Sequence, residues 1–397
     1  MKSQGSRVTS VDALRGTIMI VMALDHVRDF IHRGAMLGQS PTDLATTTPI
    51  LFFTRWVTHF CAPVFMFTAG LGAFFWWNNG RTKSELSRFL ITRGLWLIVL
   101  ELTVMQVSYN FSFAQTYPLF LVVLWVLGAC MVLLSALVWL PMRALAVISL
   151  LAIALHNTLD SIRAQQFGSW AWAWNLLHQQ GAFPVMGRIV IAAYALVPWV
   201  FVMAAGFCFG PVLLRQPADR RRALLRTGTI LTIGFLVLRA VNGYGDSSHW
   251  TTQASPVMTA LSFLNTSKYP PSLLFLLMTI GPAMLMLAYF DSRNPSPSNP
   301  LVVFGRVPLF YFVVHFYLAH TAIVALSFVR YGSAAGSFMF QPVPSMGGPR
   351  DAFPPDFGYP LWAAYLVWAA VVIVAYPLCR WYADVKARRR DWWLSYL

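Results

Sequence analysis

The stretch Ser10-Val11-Asp12-Ala13-Leu14-Arg15-Gly16-Thr17-Ile18-Met19-Ile20-Val21-Met22-Ala23-Leu24-Asp25-His26-Val27-Arg28-Asp29 decides how the rest of the chain is read. From Ile18 to Leu24 it is apolar without interruption, and it then runs into Asp25, His26, Arg28 and Asp29. A cleavable secretion signal would pass from its apolar core to a small-residue cleavage site. Here the apolar run is broken by charge instead, so the segment reads as a first membrane helix that stays in place. Ser10 is positioned as its N-cap and Asp12 sits in its first turn, where a carboxylate favours the helix dipole.

The remainder of the 397 residues fits that start. Hydrophobic residues make up 57% of the chain and charged residues 11%, against roughly 25% charged in a soluble domain. A soluble fold has too few charges here to cover so much apolar surface. Lys and Arg number 29 and Asp and Glu 14, for a net charge of +15. Nucleic-acid binding needs such charge gathered on one soluble face, whereas here it lies in short stretches between apolar runs. A soluble enzyme, a disordered chain and a nucleic-acid-binding domain are excluded. The expected fold is all-α: a polytopic membrane helical bundle forming one integral membrane domain over 1–397.

About 20 apolar residues span a bilayer, which gives about ten transmembrane helices, near 11–31, 56–77, 90–109, 117–139, 142–160, 187–210, 226–243, 272–290, 301–328 and 360–380. With both termini in the cytoplasm, 20 of the 29 basic residues fall on the cytoplasmic side, leaving a net +14 there and +1 elsewhere, as the positive-inside rule requires. The outer connections 32–55, 161–186, 244–271 and 329–359 are long. Trp170-Ala171-Trp172-Ala173-Trp174 reads as an interfacial segment, 341–360 as irregular Pro- and Gly-rich loop, and Arg388-Arg389-Arg390 with Trp392-Trp393 as an interfacial anchor. Cys61, Cys130, Cys208 and Cys379 are in or beside apolar runs without CxxC spacing, and read as free buried thiols.

Ionisable residues inside spans are costly and mark functional sites by default. Asp25, His26, Arg28 and Asp29 sit in the outer half of the first span, Arg55 and His59 open the second, and Glu101 and Gln106 lie in the third. Arg239, Asn242 and Asp246 close the seventh, Lys268 and Tyr269 precede the eighth, and His315 and His320 lie in the ninth. The inner halves are nearly free of such groups. The pattern predicts a chamber open to the outer side, walled by spans one, two, three, seven, eight and nine. The alternative is pairing for stability alone: Asp25 and Arg28 are spaced to pair on their own helix, and His26 or His59 is equally readable as a hydrogen-bonded core histidine. Glu101 has no local counter-charge and calls for a partner such as Arg239, Arg55 or a histidine. His315 and His320, five apart, diverge on a helix and do not form a zinc pair; no metal is expected.

Several segments resemble bacterial relatives of the heparan-alpha-glucosaminide N-acetyltransferase catalytic domain. These are Ser10-Val11-Asp12-Ala13-Leu14-Arg15-Gly16 with the helix ending Leu24-Asp25-His26, and His59-Phe60-Cys61-Ala62-Pro63-Val64-Phe65-Met66-Phe67-Thr68-Ala69-Gly70. Lys268-Tyr269-Pro270-Pro271-Ser272 and Phe304-Gly305-Arg306-Val307-Pro308-Leu309-Phe310 add to them. The resemblance implies a transmembrane acetylation, with acetyl-CoA bound from the cytoplasm and a sugar or glycan acceptor on the far side. It also implies a catalytic histidine in the region of the first two spans. The candidates are His26, His32 and His59.

The chemistry then expected uses His26 or His59 as base, since histidine titrates near neutrality, with Asp25 orienting or charging a partner. Arg55, Glu101, Arg239, Lys268 and His315 are the substrate-binding candidates. Arg93 and Arg306 are the candidates for the phosphates of CoA. Direct transfer and an acyl-histidine intermediate both fit. The expected setting is the bacterial inner membrane, with lipid, acyl-CoA and glycan as partners, no nucleic acid, and a homodimer left open. From another class, buried Asp, Glu, His and Arg in ten spans also fit a proton-coupled transporter.

Overall fold

The computed structural model describes residues 8–111, 117–389, 391 and 394. Lys2 and Arg7 of the basic tally, and Arg390, Trp392 and Trp393 of the expected anchor, lie outside them. The chain is mostly helical. The principal helices are α1 Thr9–Ile31, α2 Pro49–Asn78, α3 Lys83–Asn110, α4 Val123–Leu137, α5 Met142–Leu159, α6 Trp199–Leu213, α7 Pro217–Val241, α8 Leu273–Arg293, α9 Pro308–Tyr331 and α10 Leu361–Arg388. Among the described residues, seven helices are long and apolar enough to cross a membrane. α4 and α6 are shorter apolar helices, and α1 carries more charge. The turns at one end of the bundle are short and basic. The other end carries the long connections. These are called the basic end and the loop end below.

Helix starts follow local sequence. At the basic end Thr82 and Glu85 form a capping box: the Thr82 N–H donates to Glu85 Oε2 at 2.7 Å and Glu85 N–H donates to Thr82 Oγ1 at 3.2 Å, satisfying two donors that helix geometry leaves free. At the loop end Thr48 caps α2 ahead of Pro49, and Ser272 Oγ accepts from Phe275 N–H at 3.0 Å to start α8.

Paired glycines bring helices together, as small residues do in membranes. A Cβ on Gly70 of α2 would lie 1.9 Å from the Met203 carbonyl of α6, and one on Gly206 would lie 2.0 Å from the Phe67 carbonyl. Gly16 and Gly305 make the same reciprocal approach: a Cβ on either would lie 1.8 Å from a backbone oxygen of the other's helix. Gly206→Val is therefore expected to cost about 1–3 kcal/mol, read as a lower Tm in detergent. An unchanged Tm would contradict this close crossing.

The mostly helical fold carries one addition to the all-α expectation. Three short strands, β1 Leu119–Leu121, β2 Gly181–Val185 and β3 Arg188–Ala192, form a sheet in the order β1-β3-β2 at the loop end. β1 pairs parallel and β2 antiparallel to β3. Residues 117–122 and 187–198, expected to be helical, thus lie outside α4 and α6. Those two helices have 15 residues each, about 22 Å, short of a hydrocarbon core of about 30 Å. The N-terminus of α4 is consequently buried. Glu101 of α3 supplies what its free N–H groups need, accepting from Leu124 N–H at 2.8 Å and Trp125 N–H at 3.1 Å. Gln106, one helical turn on, holds β1 through Pro118 O at 2.7 Å and Phe120 N–H at 3.3 Å.

The connection 341–360 is irregular, as its composition predicts, with two short turns at Pro344–Met346 and Arg350–Ala352. It folds back over the end of α1, where Tyr359 N–H donates to Ile31 O at 2.7 Å and Ser345 Oγ to Asp29 O at 2.5 Å.

Candidate active site

A chamber of about 180 Å³ lies towards the loop end. Asp25, His26 and Asp29 of α1, Arg55 of α2, and Lys268 and Tyr269 line it, with Tyr109 and Tyr194 opposite. Its wall on the α9 side is Phe312 and Phe316. A wider antechamber of about 410 Å³ shares Asp29, Arg55, Lys268 and Tyr269 with it, and adds His59 and the connection residues Ser40, Thr42 and Ser248. Towards the basic end, an apolar cavity of about 260 Å³ meets the chamber at Phe65, Val123 and Phe312. Arg15 and Arg93 are the charged residues in its lining.

The acids and arginines of the chamber are paired. Asp25 is bridged by Arg55 and lies 3.0 Å from Arg28, which also holds Asp29 at 2.5 Å. Among the described residues Lys268 makes no ion pair; its Nζ sits 5.2 Å from the Tyr269 ring. With Arg28 of the antechamber wall counted, two carboxylates face three cations.

His26 is the histidine of the chamber lining. Its Nδ1 lies 2.7 Å from His315 Nε2, and His315 Nδ1 lies 2.9 Å from the Tyr311 carbonyl oxygen. A carbonyl only accepts, so His315 Nδ1 carries a proton, and its neutral ring presents Nε2 as an acceptor. His26 Nδ1–H therefore donates to His315, which leaves the lone pair of His26 Nε2 free. Stacking on Phe316 at 4.1 Å and on His315 at 5.0 Å fixes the ring plane. This is the arrangement of an oriented general base.

The structure brings Asp25, His26, Arg55 and Lys268 around one space. His59 lines the antechamber instead, its ring 5.4 Å from Phe275 and its buried Nδ1 without a partner. His32 bridges Tyr359 through its backbone at the end of α1 and lines neither space. His315 stands behind His26 rather than in the chamber wall. Glu101 does not line the chamber: besides the α4 N-terminus, it accepts from Tyr109 Oη at 2.8 Å. Its partners are thus a phenol and backbone N–H groups, in place of the arginine or histidine expected. Arg239 is also elsewhere, fully buried and donating to the backbone oxygens of Phe263, Ser248, Ser262 and Asn265. With its donors consumed by carbonyls, α7 is not a chamber wall, contrary to expectation, and neither is α8. Asn242 and Asp246 act like Arg239: Asp246 accepts from Ser248, Ser267 and Ser272, folding the 242–272 connection that carries Lys268 inward. Arg93 faces the apolar cavity, whereas Arg306 lines none of these spaces.

Tyr109 and Tyr194 line these spaces without having been singled out from sequence, and Arg15 does so having been quoted only within its motif, with no site role. Arg15 donates to Thr68 O at 2.5 Å. Among the described residues, no cluster of three or more His, Cys, Asp or Glu is arranged to hold a metal ion.

The heparan-alpha-glucosaminide N-acetyltransferase catalytic family model matches residues 7–240, more than half the chain and the whole of α1 to α6. The chain belongs to that family. It is thereby placed among membrane acetyltransferases that draw on acetyl-CoA, and as an integral membrane protein. A comparison with curated proteins returns no match. The family match ends near Arg239, so Lys268, His315 and the rest of α9 join the site from outside the matched segment.

Proposed function

We propose that the chain moves an acetyl group from acetyl-CoA, bound from the basic end, to the amine or hydroxyl of a sugar or glycan acceptor entering from the loop end. In this reading α1 to α10 make ten crossings of the bacterial inner membrane, with both termini cytoplasmic. The observation that carries it is the meeting of two unlike spaces beside an oriented base. The apolar cavity suits the pantetheine arm, with Arg15 and Arg93 to hold the donor's phosphates. The polar chamber suits a sugar.

The acceptor donates its proton to His26 Nε2 as it attacks the thioester carbonyl. The new bond joins acceptor nitrogen or oxygen to the acetyl carbon, the carbon–sulfur bond breaks, and the proton passes from His26 to the departing thiolate. The charge that develops on the carbonyl oxygen is met by the unpaired Lys268 ammonium, in a site where a fixed positive group acts strongly. Asp25 keeps Arg55 in place at the chamber wall.

His315 is a positioning residue in this scheme. His315→Ala is expected to cut transfer about 10-fold or more, while His315→Gln, whose side-chain oxygen also accepts from His26 Nδ1–H, recovers part of the rate. The check is radiolabelled acetyl transfer to glucosamine across a pH series, in which the acidic limb moves for the alanine variant. Equal rates and profiles for wild type and both variants would remove the relay. Uptake of glucosamine into proteoliposomes without acetylation would favour the transporter reading instead.

A further inference from the structure

The apolar cavity gives way to the polar chamber at one depth on four helices. On α9, Leu309 lines the cavity, Phe312 lines both spaces and Phe316 lines the chamber, so the stripe climbs one helix face about a turn at a time. On α2 the side chain common to both linings is Phe65, and on α4 it is Val123. On α1 the change falls between Met19 in the cavity wall and Met22 in the chamber wall. A side chain that lines two spaces stands between them, so Phe65, Val123 and Phe312 form an apolar septum.

The septum adjoins His26. The Phe312 ring is edge-on to the His26 ring at 6.2 Å, and it packs against His315 at 5.6 Å and Phe316 at 5.3 Å. The same rings that fix the plane of His26 thus hold Phe312. Phe312 is 5% exposed, whereas Phe65 and Val123 are half-buried.

We infer that this septum, with Phe312 as its principal element, sets the length of the transferred acyl group and holds it to acetyl. The inference rests on the acetyl-transfer reading, and the bonds made and broken are those of that scheme whatever the acyl chain. A thioester carbonyl carbon has three substituents. With sulfur on the cavity side and oxygen towards the chamber, the acyl chain is left among the septum side chains. A methyl group asks little of a packed wall, while each further methylene has to displace it. One methylene is discriminated about 10–200-fold in an apolar pocket.

Transfer to glucosamine from radiolabelled acetyl-CoA and butyryl-CoA is measured with the full-length detergent-solubilised protein. The wild type is expected to favour acetyl by about 100-fold or more, and Phe312→Ala to lower that ratio at least about 10-fold. A purely structural role would depress both rates together and leave the ratio unmoved. Phe65→Ala, on another helix and half-buried, is a second variant with the same expected direction, and it keeps the test open if Phe312→Ala does not fold. Equal rates in the wild type, or a ratio unmoved in the folded variants, overturns the septum while leaving the transferase reading intact. Calorimetric titration of the two thioesters without acceptor separates the two failures. If neither acyl group is transferred, the transferase reading falls and the septum is judged on binding. A preference for acetyl-CoA that shrinks in the variants then supports it, and equal affinities overturn it.

Discussion

Replacing His26 by alanine is expected to lower acetyl transfer by about 10²–10⁴-fold, the range set by loss of a general base. The expectation follows from the chamber's proton inventory. Asp25 and Asp29 are occupied by Arg28 and Arg55, and Lys268 is a cation. His26 is the side chain that brings a free lone pair to the space, through the chain of contacts ending at the Tyr311 carbonyl. Removing the ring leaves a void against Phe316 and no unpaired charge. Expression, size-exclusion behaviour and Tm are therefore expected to stay near wild type while the rate collapses. His59→Ala is expected to weaken acceptor entry at most, because His59 lies in the antechamber. A His26→Ala protein that transfers acetyl at the full rate would remove the assignment.

The largest effect on stability is expected from Asp25. Arg28 and Asp25 are nearly sealed from solvent, with side-chain exposures of 5% and 8%, and Arg55 stands at 16%. Asp25→Asn leaves Arg28, Arg55 and Lys268 facing Asp29 alone. Breaking one partner of a buried pair costs about 3–5 kcal/mol, because the other charge stays buried without compensation. The expected reading is a marked fall in Tm and in folded yield. Arg55→Gln added to Asp25→Asn is expected to restore part of the loss, since removing both partners leaves less uncompensated charge than removing one. Thermal unfolding of the four proteins of the cycle measures this coupling. Additive losses would show that Asp25 and Arg55 do not act as a pair.

The helices were legible because a bilayer imposes a length on apolar runs. Each expected span contains a helix, and the alternation of ends already put Asp25, His26, Arg55 and Lys268 at one level. The starts of α4 and α6 were not legible. A hydropathy window counts Leu119-Phe120-Leu121 and Ile189-Val190-Ile191 as it counts helix, and backbone that is not helical is tolerated at depth when protein surrounds it. Charge bookkeeping also has a blind spot. Glu101 stands out in sequence as an ion without a local counter-charge and Arg239 as a possible partner for it, yet besides the Tyr109 phenol Glu101 takes backbone N–H groups and Arg239 takes carbonyls, which every residue has and no motif marks. The His26–His315 contact joins positions 289 residues apart, and nothing local to either helix announces it. Arg15 enters the sequence reading only within the Ser10–Gly16 stretch, where nothing marks its place beside the apolar cavity.

In this scheme donor and acceptor reach His26 from opposite faces, a geometry open to direct measurement. It is tested by sealing the protein in liposomes with glucosamine inside and adding radiolabelled, membrane-impermeant acetyl-CoA outside only. The prediction is labelled N-acetylglucosamine in the lumen for the wild type and none for His26→Ala. Product formed only when both substrates share one compartment, or none in either arrangement while glucosamine crosses unmodified, would contradict it.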